Sequence, residues 1–116
     1  MANLKRHMIE IVKEVKAGEI VSEKYLTPVF IPMSVVYEAI DMINEIDKTT
    51  AENEKELVDK LLAFVAEKAY GGQFTKDELF NGLHAPESMQ ILQEQILFIA
   101  RGQQNVSTKK YLEKKS

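Results

Sequence analysis

Few residues in this chain have the type and spacing that catalysis or metal binding requires. His7, Glu10 and Glu14 would share one face of an N-terminal helix, and an imidazole with two carboxylates can in principle hold a metal ion. A lone histidine among mixed surface charges is more often an ordinary solvated face, and the chain has no cysteine to complete a ligand set. We therefore predict no metal site and no cofactor.

Two other groups resemble fragments of catalytic sites. His84 and Ser88 are four residues apart across a proline, but no acid is placed to orient the histidine. Residues 71–73, Gly-Gly-Gln, match the peptidyl-transfer loop of class I release factors over three residues only, and a helix C-terminus accounts for both glycines. The sequence also lacks a phosphate-binding loop, a zincin helix and a paired-carboxylate motif. We predict no catalytic residues and no enzymatic activity.

The best-marked structural signal is residues 57–82, which should form two helices joined by a tight corner. Apolar residues recur at helical spacing from Leu57 to Val65, and Gly71 and Gly72 would end that helix. Thr75 and Glu78 then fit a capping box, which begins a short second helix.

Further helices are predicted on both sides of this pair. Ser34 suits the N-cap of a helix that runs to about Ile46. Its expected buried stripe consists of Val36, Ile40 and Ile43. Pro86 suits the first turn of a last helix, which should reach about Arg101 and end at Gly102.

The N-terminal segment allows two interpretations. Apolar residues of the segment fall on one helical stripe, formed by Leu4, Met8, Ile11, Val12 and Val15. Alternatively, Ile9 and Ile11 alternate with polar neighbours, and residues 16–19 could turn into a second strand. Periodicity alone leaves both open. Residues 25–32 should be extended, because two prolines exclude a helix or a central strand there.

The expected fold is mainly α, a small single-domain bundle of four to five helices spanning residues 1–102. A short N-terminal β-hairpin or edge strand is the alternative for its start, and residues 103–116 should be a disordered polar tail. No apolar run is long enough for a membrane span, and a net charge of −3 argues against binding nucleic acid or anionic lipid.

A helix-turn-helix DNA reader is an alternative function, since its groove helix would begin at Thr75. That helix carries Lys76 but also Asp77 and Glu78, so its charge is unfavourable for contact with phosphates.

Several segments resemble the small tail assembly chaperones of long-tailed bacteriophages that infect Gram-positive hosts. The matching segments are KYLTP at 24–28, FIP at 30–32, GQFTKDELFNGL at 72–83, and a last helix with Leu92, Gln93, Ile96 and Ile99. Members often begin with a short β-hairpin, so the helical stripe near the N-terminus is a departure.

The resemblance implies a non-enzymatic protein that coats the tape measure protein in the host cell cytoplasm before the tail tube forms. The tail tube protein is a further implied partner, and a structural tail subunit is a third possible function. Apolar residues on more than one face of the last helix, and the exposed segment 25–30 with its free edge, predict a homo-oligomer. Candidate residues for partner binding or self-association are Tyr25, Val29, Phe30, Ile91 and Phe98, which lie on the extended segment and on a second face of the last helix.

Overall fold

The computed structural model describes residues 5–103, which form a β-hairpin followed by four α-helices. The strands are β1 (Met8–Lys16) and β2 (Glu19–Leu26), and the helices are α1 (Ser34–Lys48), α2 (Glu54–Phe64), α3 (Lys76–Gly82) and α4 (Ser88–Arg101). A π-helical turn, Val65–Ala69, extends α2, and a 3₁₀ turn, Ala85–Glu87, precedes α4.

The expected mainly α bundle is wrong, because the chain has a mixed α/β fold with a two-stranded antiparallel sheet. The N-terminal helix is replaced by the alternative hairpin, whose pairing runs from Met8 opposite Leu26 to Lys16 opposite Glu19. Ile9 and Ile11 are buried and Glu10 between them is exposed, which is the alternation that a strand produces. Burial of these two β-branched residues in the core therefore favours the strand over the helix for this segment.

The predicted helical corner is confirmed. Leu57 and Leu61 are buried, and Gly71 and Gly72 take positive φ angles of 63° and 80° just after the π-helical turn. At the start of α3, Thr75 Oγ1 accepts a hydrogen bond from the Glu78 backbone N–H at 3.0 Å, and the Glu78 carboxylate accepts one from the Thr75 N–H at 3.0 Å. These two bonds complete the capping box.

The last helix also ends as predicted. Gly102 follows α4 in the left-handed conformation, with φ of 70°, and its N–H donates to the Phe98 carbonyl. Pro86 lies in the 3₁₀ turn before α4 rather than in its first turn. No helix within residues 5–103 is both long and apolar enough to cross a membrane.

The core lies around α2 and its π-helical extension, against which α1, α3 and α4 pack. Its fully buried large side chains include Ile9, Ile11, Leu61, Leu62, Tyr70, Leu79, Leu92 and Ile96. The Tyr70 hydroxyl donates to the side-chain oxygen of Gln95, so this buried polar pair satisfies itself.

The predicted buried stripe of α1 is only partly correct. Val35 and Ala39 are buried, and Met42, Ile43 and Ile46 pack partly against the core. Ile40, predicted to be buried, is 43% exposed. The helix is rotated by about one residue relative to the expectation, which leaves a second apolar stripe facing outward.

Candidate partner-binding surface

An exposed apolar surface begins before α1 and continues along that helix. It consists of Val29 (64% exposed), Phe30 (69%), Met33 (75%), Tyr37 (71%) and Ile40, and we call it the α1 apolar surface. Exposed apolar residues are common singly, but a group that is close in sequence and on one face typically marks a binding site.

Local sequence explains why these side chains point outward. Met33, Tyr37 and Ile40 are spaced i, i+4 and i+7, which places them on one helical face, opposite the buried Val35 and Ala39. Residues 27–32 form an irregular connection between β2 and the helix, with a bend at Val29, and the two prolines in it disfavour a regular helix or strand.

An open groove of about 310 Å³ adjoins this surface. Residues 28–32 line it together with Val36 of α1 and with Phe98 and Ile99 of α4. Lys5 and Gly102 complete the lining, and the Lys5 ammonium donates to the Gly102 carbonyl at 3.0 Å. The groove is mainly apolar, so it suits apolar side chains of a partner.

The structure brings together three of the five candidate residues. Val29 and Phe30 line the groove from their exposed positions, and Phe98 lines it although it is largely buried within the monomer. Tyr25 is half-buried elsewhere, edge-on to Phe74 with ring centroids 4.9 Å apart, and Ile91 packs partly against the core.

Met33, Tyr37 and Ile40 were not among the binding residues predicted from the sequence. Their helical spacing was visible, but α1 has apolar residues on more than one face. Spacing alone could not tell which face the rest of the protein covers.

His7 does not join Glu10 and Glu14 in a metal-binding cluster. A strand separates the side chains that a helix would have aligned, and no cluster of three metal-ligating residues occurs within residues 5–103. His7 is buried, stacks on Phe98 with ring centroids 4.9 Å apart, and has no hydrogen-bond partner for its ring nitrogens among the described residues. Burial lowers the pKa of His7 to about 4, so the ring is neutral near pH 7.

The other chemically suggestive residues make structural contacts. The Gln73 amide nitrogen donates to the carbonyls of Leu26 (2.7 Å) and Tyr70 (3.0 Å), which ties the end of β2 to the end of the central helix. The Ser88 hydroxyl donates to the Ala85 carbonyl at 2.9 Å, within its own turn. Neither arrangement resembles a reacting group that faces a substrate.

The charges of α3 are also engaged within the chain. Lys76 pairs with Asp59 at 3.3 Å, and Glu78 pairs with Lys13 of β1 at 2.7 Å. The Lys76–Asp59 pair reduces the positive charge that α3 would offer to a DNA groove.

Comparison with known proteins gives one informative match. A family model described as phage tail chaperone protein matches residues 4–116. Neither the curated proteins nor the solved structures contain a significant match. Because the family model covers nearly the whole chain, this protein belongs to the phage tail chaperone family.

Proposed function

We propose that this tail chaperone binds and coats the tape measure protein of its phage, and that the α1 apolar surface makes the contact. The observation that carries the proposal is the high exposure of Phe30, Met33 and Tyr37. A monomer gains nothing from leaving three large apolar side chains in water, whereas a binding surface requires them.

The physical problem that such a chaperone solves is the exposure of a long helical partner. A tape measure protein presents apolar helical surface before the tail tube surrounds it, and this surface would aggregate if uncovered. The α1 apolar surface and the adjoining groove suit a helix-in-groove contact, in which a partner helix inserts apolar side chains at helical spacing into a groove. The role requires binding and release, and no catalytic step.

We further propose that several copies act together on one partner as a homo-oligomer. Many weak contacts give strong overall binding, yet each copy can be displaced separately as tail tube protein arrives. The acidic middle of the chain and the lysines of residues 103–116 could attract each other between copies. Association should then weaken as added salt shortens the Debye length below about 10 Å.

Co-expression with the tape measure protein of the same phage tests the binding surface. The wild-type chain should keep the tape measure protein soluble and co-purify with it. Met33→Ser combined with Tyr37→Ser should abolish both effects, because it removes two exposed anchors without disturbing the core. Phe80→Ser is the matched control, since Phe80 is 61% exposed but lies on α3.

Co-purification of the tape measure protein with each variant distinguishes binding at the α1 apolar surface from binding elsewhere. Equal co-purification by the wild-type chain and the Met33, Tyr37 variant would overturn the proposed surface. Sedimentation of the chain alone and with its partner tests the oligomer. A monomer at high concentration in both conditions would remove the coating mechanism.

A further inference from the structure

Resting on the proposed function, we infer the chemical class of the segment that occupies the α1 apolar surface. It is an amphipathic helix whose apolar stripe is bordered by lysine or arginine. The inference follows from the charges that surround the apolar stripe.

Acidic side chains border the exposed apolar stripe of α1. Asp41 follows Tyr37 by four residues and Asp47 follows Ile40 by seven, so each lies beside the stripe on the helix surface. The helix contains Glu38, Asp41, Glu45 and Asp47 but only one basic residue, Lys48 in its last turn. A partner helix that covers the stripe therefore meets a rim on α1 with more acidic than basic groups. Lys60 of α2 and Lys68 of its π-helical extension line a shallow groove with Glu38 and Asp41 and offset part of that charge.

Most of these carboxylates remain available to a partner. Glu45 pairs with Lys60 of α2 at 2.6 Å. Glu38, Asp41 and Asp47 are exposed, and none of them forms a salt bridge with another residue in the part of the chain that the structure describes. Cations of a partner can thus approach without displacing an existing pair.

The same charges disfavour a second copy as the occupant. Two copies related by a two-fold axis would place one acidic α1 face against another, and like charges at an interface oppose binding. The C-terminal residues 104–116 carry four lysines, but their apolar residues, Val106, Tyr111 and Leu112, do not recur at helical spacing. A separate basic amphipathic helix satisfies both the apolar stripe and its acidic rim.

A pair of designed peptides tests the charge of the rim with the full chain. Both peptides are labelled helices with the same leucine stripe, bordered by lysine in one and by glutamate in the other, and fluorescence anisotropy measures binding. At low salt the lysine peptide should bind about three- to tenfold more tightly, as expected for two or three exposed ion pairs. This preference should shrink as salt is added.

Charge reversal on the chaperone provides the decisive comparison. Asp41→Lys with Asp47→Lys should invert the preference, so that the glutamate peptide binds more tightly. Asp77→Lys with Glu87→Lys changes the net charge equally at exposed positions away from α1 and should keep the lysine preference. Equal inversion by both pairs would show a general charge effect and overturn the inference.

Further outcomes separate this inference from the proposed function. One outcome is that Tyr37→Ser abolishes binding of both peptides while the wild-type chain binds the two equally. The proposed binding surface would then be supported, and the inferred basic character of its partner would be overturned. If Tyr37→Ser has no effect on either peptide, the proposed surface itself fails. A dimer that Tyr37→Ser dissociates would make a second copy the occupant. If deletion of residues 104–116 makes the peptides bind more tightly, that segment competes for the surface and is its occupant. Occupation by a second copy or by this segment would overturn the inference.

Discussion

His7 connects the start of the hairpin to the last helix by backbone and side-chain contacts. Its backbone N–H donates to Thr27 Oγ1 at 3.1 Å, and its carbonyl accepts from the Thr27 N–H at 2.9 Å. Its ring stacks on Phe98, the α4 residue that also lines the groove. A protonated imidazole here would be buried without a hydrogen-bond acceptor among the described residues.

We predict that the free energy of unfolding decreases as the pH falls from about 6.5 toward 4. The pKa of His7 is lowered to about 4 by burial, from 6.5 in the unfolded chain, so the unfolded state binds more protons within this window. Stability therefore rises with pH across the window and levels off above it. Urea unfolding at several pH values measures the effect.

A variant that cannot titrate provides the comparison. His7→Phe preserves an aromatic ring against Phe98 and should flatten the pH dependence between pH 4 and 6.5. The exposed His84 serves as the control position, where the same substitution should preserve the dependence. An identical slope in His7→Phe and the wild type would contradict the assignment to His7.

At the scale of elements, the close approach of α3 to β1 fixes the hairpin on the helical body. Gly82 allows this approach, because a Cβ atom there would lie 2.3 Å from Ile11 Cγ2 and 2.9 Å from the Val12 carbonyl oxygen. The Lys13 and Glu78 ion pair links the same two elements at the surface. The contact with the backbone carbonyl cannot be relieved by a side-chain rotation.

We predict that Gly82→Ala destabilises the protein by about 1 to 3 kcal/mol, through overpacking against β1. The sign is informative, because glycine to alanine within an ordinary helix increases stability by about 1 kcal/mol. Asn81→Ala, at the exposed neighbouring position, should change the unfolding free energy by less than about 0.5 kcal/mol. Chemical denaturation of both variants checks the prediction, and a more stable Gly82→Ala would disprove the close packing.

At the scale of the whole molecule, the family match confirms the expected phage tail chaperone role. The exposed apolar residues of α1 and the acidic residues beside them lie outside the core that residues 5–103 form. The exposed residues of the proposed binding surface therefore differ from the core residues, although the core residue Phe98 also lines the adjoining groove. Variants on the α1 apolar surface should change binding with little change in stability.

We predict that deletion of residues 103–116 leaves the unfolding transition and the helix content nearly unchanged. Residues 104–116 lie outside the described residues, so the predicted disordered tail and the domain boundary at residue 102 stay predictions. The segment is polar and lacks an apolar period, and Gly102 already ends α4. Thermal unfolding followed by circular dichroism tests this, and loss of a cooperative transition would contradict it.

The helical corner, the start of α3 and the end of α4 were predictable from the sequence alone. The capping box of Thr75 and Glu78, the stop at Gly71 and the stop at Gly102 depend on residues within one or two turns of each other. Local chemistry of this kind can be read from a single segment. The prediction failed at the start of α1, where Ser34 was expected to be the N-cap but is the first helical residue, and Met33 is the N-cap without a side-chain hydrogen bond.

The N-terminal hairpin, the rotation of α1 and the groove depend instead on contacts between segments that are distant in the sequence. Ile9 and Ile11 fit a helix or a strand until pairing with β2 and burial in the core select the strand. The outward face of α1 depends on which of its apolar stripes the other helices cover. Phe30 and Phe98 line one groove although 68 positions separate them, because long-range packing brings α4 beside the segment that enters α1.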